Sequence, residues 1–209
     1  MRKRARSFAG LVLALALAAT AVGCSDGSAD TRSQASTSTQ TAGSSGFDGA
    51  ALPGGIQAPS FMLTDQSGRR VSLASYRGRV TIVAFVYSTC GAPCVVIAQQ
   101  IRGALDELAR PLPVLLISAD PGADTPARVS SFLRAASLSG RVSYLSGTPA
   151  QLRPVWHAFR VVPASAHRAA FARSASVFLI DRAGHERVIF QLEQLTPEGL
   201  AHDVRKLLD

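Results

Sequence analysis

The 209-residue chain has only three cysteines, too few for a fold held together by a dense disulfide framework, so its stability has to come from an apolar core. Its 47% apolar content is ordinary for a globular protein of this size. Acidic residues are missing before Asp26, while Arg2, Lys3, Arg4 and Arg6 supply four of the +8 formal charges and leave about +4 for the rest. No basic stripe with interleaved aromatics occurs, which argues against a nucleic-acid surface. No internal repeat is present. The apolar run Leu11–Val22 is too short to cross a bilayer comfortably.

That run has a basic segment before it and small residues after it, the build of an export signal. Residues 1–24 are therefore expected to be a signal that ends at Cys24. AVGC resembles the lipobox of bacterial lipoproteins, although Ala21 stands where that motif usually has leucine. The resemblance implies lipidation of Cys24 and a membrane anchor on the extracytoplasmic side; the competing expectation is a soluble secreted protein. Residues 25–52 are Ser, Thr, Gly, Ala and Gln with little to bury. They are expected to form a disordered spacer that lets a tethered domain reach tens of ångströms.

Residues 53–209 carry the regular patterns. FMLTDQSGRRVSL gives two short strands around a turn at Gly68. RVTIVAFVY and PVLLISAD are apolar, β-branched runs suited to strands buried on both faces. CVVIAQQIRGALDELA has helical spacing and stops before Pro111. TPARVSSFLRAAS begins a helix with Asp124 or Thr125 as cap and Pro126 in its first turn. VSYLSG, TPAQLRPVWHAF, SVFLIDRAGHERVIF and TPEGLAHDVRKLLD read as strand, helix, hairpin and closing helix. This alternation predicts an α/β, thioredoxin-like fold with an N-terminal β-hairpin extension.

STCGAPC places Cys90 and Cys94 where a buried strand hands over to a helix. The helix N-terminus there favours thiolates, and both sulfurs are expected to be exposed and side by side. If the turn between them is helical, their β-carbons lie about 5–6 Å apart. A relaxed disulfide needs about 3.5–4.5 Å, so closing one requires a local backbone shift. Two thiolates holding a soft ion through bonds of about 2.3 Å fit the wider spacing more readily. The spacing thus leans towards Cu(I), with reversible oxidation and a purely structural staple still open.

The other polar residues have plainer readings. His157 is expected to be a partly buried structural histidine, and His185 and His202 to be solvated. Strand ends and caps account for Asp120, Asp124 and Asp181 without a hard cation. RVVPASAHRAAFAR, residues 160–173, is expected to be an exposed loop.

The stretch from FMLTDQSG through STCGAPC, together with ISADPGADTP, YLSGTPAQLRPVWHAF and SVFLIDRAG, resembles the Sco/SenC family across nearly all of residues 58–209. The resemblance implies a membrane-anchored, copper-binding protein that assists assembly of the cytochrome c oxidase copper centre, its partner being the copper-bearing subunit or another extracytoplasmic redox or copper protein. Some relatives act as thiol-disulfide oxidoreductases. It also implies a copper site of Cys90, Cys94 and a histidine eight residues before Asp181. That position is Arg173, whose guanidinium stays protonated and cannot ligate a metal. Three arrangements remain. His167 supplies the missing nitrogen, the two thiolates hold Cu(I) alone, or copper plays no part and Arg173 acidifies a reducing dithiol.

Overall fold

The computed structural model describes residues 45–54 and 56–209; the expected export signal, Cys24 and the expected spacer up to residue 44 lie outside the described residues. Among the described residues eight strands form one mixed sheet: β1 (Ala50–Ala51), β2 (Met62–Asp65), β3 (Arg70–Ser72), β4 (Thr81–Val86), β5 (Val114–Ser118), β6 (Ser143–Ser146), β7 (Ser176–Ile180) and β8 (Glu186–Gln191). Their spatial order is β1-β8-β7-β4-β5-β6-β2-β3. β4, β5 and β6 are parallel neighbours and every other pairing is antiparallel. The central strands are the near-continuous apolar runs of the sequence, because helices cover both faces and leave no solvated side on which polar residues would alternate.

Among the described residues five α-helices connect or flank the strands: α1 (Ala92–Leu108), α2 (Pro126–Ala135), α3 (Pro149–Ala158), α4 (Arg168–Ser174) and α5 (Pro197–Leu208). Their starts follow local chemistry. Thr125, Thr148 and Thr196 each accept a backbone amide of the first turn, and each is followed by proline. Of the two cap candidates for α2, the cap is Thr125. Phe85, Phe159 and Phe178 cluster beneath the sheet centre with centroids 4.9–6.2 Å apart, Phe178 standing edge-on to the other two.

The β2–β3 hairpin turns on Gly68 at φ +84° and on Asp65, which is buried. Burial alone would raise the Asp65 pKa. Its carboxylate, however, accepts the Ser67 hydroxyl and amide, the Arg69 amide and the Arg69 guanidinium, and these bonds bring it down to about 2. A depressed carboxylate stabilises the fold fully above its unfolded value near 4, and that contribution disappears as the pH falls through about 2. Acid unfolding of the Asp65→Asn variant should accordingly lack about 2 kcal/mol of the parent's pH dependence between pH 5 and 2, measured by urea titration at each pH.

Part of the stretch expected as a disordered spacer is ordered: residues 48–51 are held against the sheet and α5. β1 pairs with β8, and the amides of Asp48 and Gly49 donate to the two oxygens of the buried Asp203 at 2.8 and 2.9 Å. A β-carbon at Gly49 would lie 2.5 Å from Val188 Cγ1, so the approach requires glycine.

Candidate functional site

β4 ends at Val86, and residues 87–91 lead into α1. Cys90 lies outside the helix, Gly91 is its N-cap with ψ −139°, and Pro93 and Cys94 sit in its first turn. The turn between the cysteines is therefore not helical, and their Cα atoms come to 5.6 Å, closing a Cys90–Cys94 disulfide. The expected backbone shift consists in moving Cys90 off the helix. Exposure differs from expectation: Cys90 is half-buried and Cys94 is fully buried, packed in the core with Ile97 and Ala98. Cys94 lies on the face of α1 that carries Ile97, Ala98 and Ile101 into the core, whereas Cys90 precedes the helix and keeps some exposure to solvent.

Asp124 fixes the loop that carries Cys90. Its Oδ1 accepts the Ser88 amide at 2.6 Å, and its Oδ2 accepts Ser118 Oγ at 2.6 Å and Tyr144 Oη at 2.7 Å. One carboxylate thus ties the β4–α1 loop to the end of β5 and to β6. Burial and the Asp124 charge push the Tyr144 phenol well above its ordinary pKa, so it remains a donor. The sequence suggested a cap for Asp124. Its role depends on three residues 36, 6 and 20 positions away, which no local pattern marks. Asp181 belongs to a different end of the sheet: it follows Ile180, which pairs with Thr81 at the start of β4. It accepts the His185 amide and Arg187, which outweigh burial and lower its pKa.

Residues 160–173 are not an exposed loop. Val161, Ala164 and Phe171 are buried, the Ala164 amide donates to the Ala119 carbonyl, and residues 168–174 form α4. α4 covers the end of β4: Phe171 meets the Tyr87 ring edge-on at 5.4 Å, and the Arg168 guanidinium lies 5.9 Å from the same ring. The Cys90 amide donates to the Tyr87 carbonyl, so α4 and the disulfide share one support. His167 is the N-cap of α4, its Nδ1 accepting the Ala170 amide at 3.1 Å. Arg173 is exposed in the last turn. Six residues at about 100° each leave the two side chains about 120° apart around the helix, so His167 does not replace residue 173 on the same face.

His157 and His185 depart from expectation, whereas His202 is exposed as expected. His157 is exposed, because its neighbours Val155 and Trp156 take the buried face of α3 and Trp156 Nε1 donates to the Ser118 carbonyl. His185 is half-buried in the β7–β8 turn. His202 is exposed but engaged, its Nδ1 lying 2.9 Å from Asp203 and 3.3 Å from Asp48. Among the described residues no helix is long and apolar enough to cross a membrane.

Known structures share this architecture. ScoI of Bradyrhizobium japonicum with copper bound has 28% identity and a TM-score of 0.54, covering 73% of this chain and 99% of its own. Yeast Sco1 has 18% identity and a TM-score of 0.62, covering 75% and 96%. A SCO1/SenC family lipoprotein from Bacillus anthracis has 17% identity and a TM-score of 0.60, covering 74% and 96%. The last two likenesses bear on the fold, which is α/β and thioredoxin-like as the sequence led us to expect. Comparison with curated proteins gives no match. The SCO1/SenC family model matches residues 51–209, from the strand that opens the sheet to the end of α5, and this chain belongs to the SCO1/SenC family.

Proposed function

We propose that the protein is a membrane-tethered, extracytoplasmic copper chaperone that carries Cu(I) on Cys90 and Cys94 and assists assembly of the cytochrome c oxidase copper centre. The observation that carries this reading is the pairing of a half-exposed Cys90 with a buried Cys94 at a strand-to-helix junction. Two electrons and two protons from a reductant convert the disulfide to two thiols, and losing those protons leaves two soft donors suited to Cu(I). Cargo enters and leaves from the side of Cys90. Copper in the Bradyrhizobium ScoI structure supports the assignment, and the name of the Bacillus anthracis relative supports a lipid anchor, here at Cys24.

His167 is the third donor in this reading, and its use has a cost. While Nδ1 accepts the Ala170 amide, the ring proton sits on Nε2, and neither nitrogen offers a lone pair to a metal. Ligation therefore opens the N-cap of α4, a loss of about 1 kcal/mol. Cu(I) titration of the reduced protein should give one tightly bound ion. His167→Ala and His167→Asn should weaken it by a similar factor, on the order of tenfold, although asparagine can still cap the helix. No tight binding in the parent would end the chaperone reading. Unchanged affinity in both variants would leave the two thiolates as the whole site.

A second reading, a thiol-disulfide oxidoreductase independent of copper, is favoured by the same asymmetry, since an accessible attacking sulfur and a protected resolving one are what such exchange uses. A strongly reducing potential with efficient cleavage of partner disulfides, and no copper dependence, would select it.

A further inference from the structure

From Thr125 to Ile180 the chain contains seven arginines and neither aspartate nor glutamate. All seven are exposed. Arg141 pairs with Asp106 and Arg160 with Glu186; the other five have no acidic partner within 4 Å among the described residues. Two of those five flank the loop of Cys90. Arg128 Nη1 donates to the Ala123 carbonyl, the same oxygen that accepts Ser88 Oγ, and Arg168 lies over Tyr87. Two apolar side chains near these segments in sequence are exposed: Val95, next to Cys94, by 50%, and Val162, six residues before Arg168, by 36%.

We propose that this rim docks an acidic protein segment that brings its own thiol or thiolate to Cys90, with Arg128 and Arg168 supplying the charge complement and Val95 and Val162 the apolar contact. The inference rests on the reading of Cys90 and Cys94 as the working pair and adds the chemical class of their partner. In the exchange step the partner's thiolate attacks Cys90 Sγ, a mixed disulfide forms, and Cys94 leaves as a thiolate. A second thiolate from the partner then attacks the mixed disulfide, so that both cysteines end reduced and the partner's two sulfurs end oxidised.

Charged small thiols probe the rim. The rate of reduction of the Cys90–Cys94 disulfide by glutathione, 2-mercaptoethanol and cysteamine, each expressed per thiolate, is measured at low and high salt in the full chain and in the Arg128→Gln/Arg168→Gln double variant. The parent should prefer anionic glutathione over cationic cysteamine about tenfold more than the double variant does at low salt, and the difference should vanish at high salt. Arg128→Lys/Arg168→Lys should retain the preference. Equal preference in parent and glutamine variant overturns the proposal. So does loss of binding to phosphatidylglycerol vesicles in the glutamine variant with thiol preference unchanged, because the arginines would then face lipid. A disulfide that none of the three thiols reduces overturns the working-pair reading itself, a result distinct from a change in charge preference.

Discussion

A Cys94→Ser variant should form mixed disulfides readily with an added aromatic disulfide, whereas Cys90→Ser should react at least about a hundredfold more slowly. The asymmetry follows from burial. Cys90 precedes α1 and is half open to solvent, while Cys94 is in the first helical turn with no exposed surface. A buried thiol reacts only when the helix start opens, and an opening costing about 3 kcal/mol accounts for a hundredfold. Both variants should lose Cu(I) affinity by at least about a hundredfold, since either one removes one of two soft donors. Stopped-flow release of the aromatic thiolate reads the first effect, and competition against a chromophoric Cu(I) chelator reads the second. Equal labelling of the two variants would mean that Cys94 is as accessible as Cys90, and would remove the assignment of Cys90 as the point of entry.

Asp124→Ala should destabilise the protein by about 3–4 kcal/mol, the largest effect expected from a residue outside the core. It strips the acceptor from three donors at once: the Ser88 amide, Ser118 Oγ on the fully buried Ser118, and Tyr144 Oη on a nearly fully buried tyrosine. Asp124→Asn should cost much less, because its carbonyl still accepts one donor and the hydroxyls of Ser118 and Tyr144 can turn to accept from its amide. Denaturant unfolding gives the energies. Reduction potential and the labelling rate of Cys90 supply a second measure, because loosening Ser88 loosens the loop two residues before the reactive sulfur. Stability loss in the alanine variant with potential and labelling unmoved would make Asp124 a structural tie only.

The central strands and α1, α2, α3 and α5 were legible in residues 58–209, since long apolar runs and helical spacing are local signals. Thr125-Pro126 and Thr148-Pro149 likewise announced their helices. β1 was not legible, because Ala50-Ala51 has no strand pattern of its own and pairs only through the edge that β8 offers. α4 was hidden for a related reason: seven residues with one buried phenylalanine carry too little periodicity, and the helix is held by contacts of Phe171 and Arg168 with Tyr87. Reading residues 160–173 as a loop also made His167 the source of a metal-binding nitrogen without a backbone partner for Nδ1, which the fold supplies in the Ala170 amide.

By itself the sequence determined the strand-to-helix placement of Cys90 and Cys94, the sheet-and-helix alternation and the arginine at position 173, because each is written in residues adjacent along the chain. Only the tertiary structure decided which sulfur faces solvent, that Asp124 anchors the Cys90 loop, and that α4 lies against Tyr87. These outcomes depend on side chains tens of residues apart being brought to the same end of the sheet, where burial and hydrogen-bond partners are set by what packs there and not by neighbours in sequence.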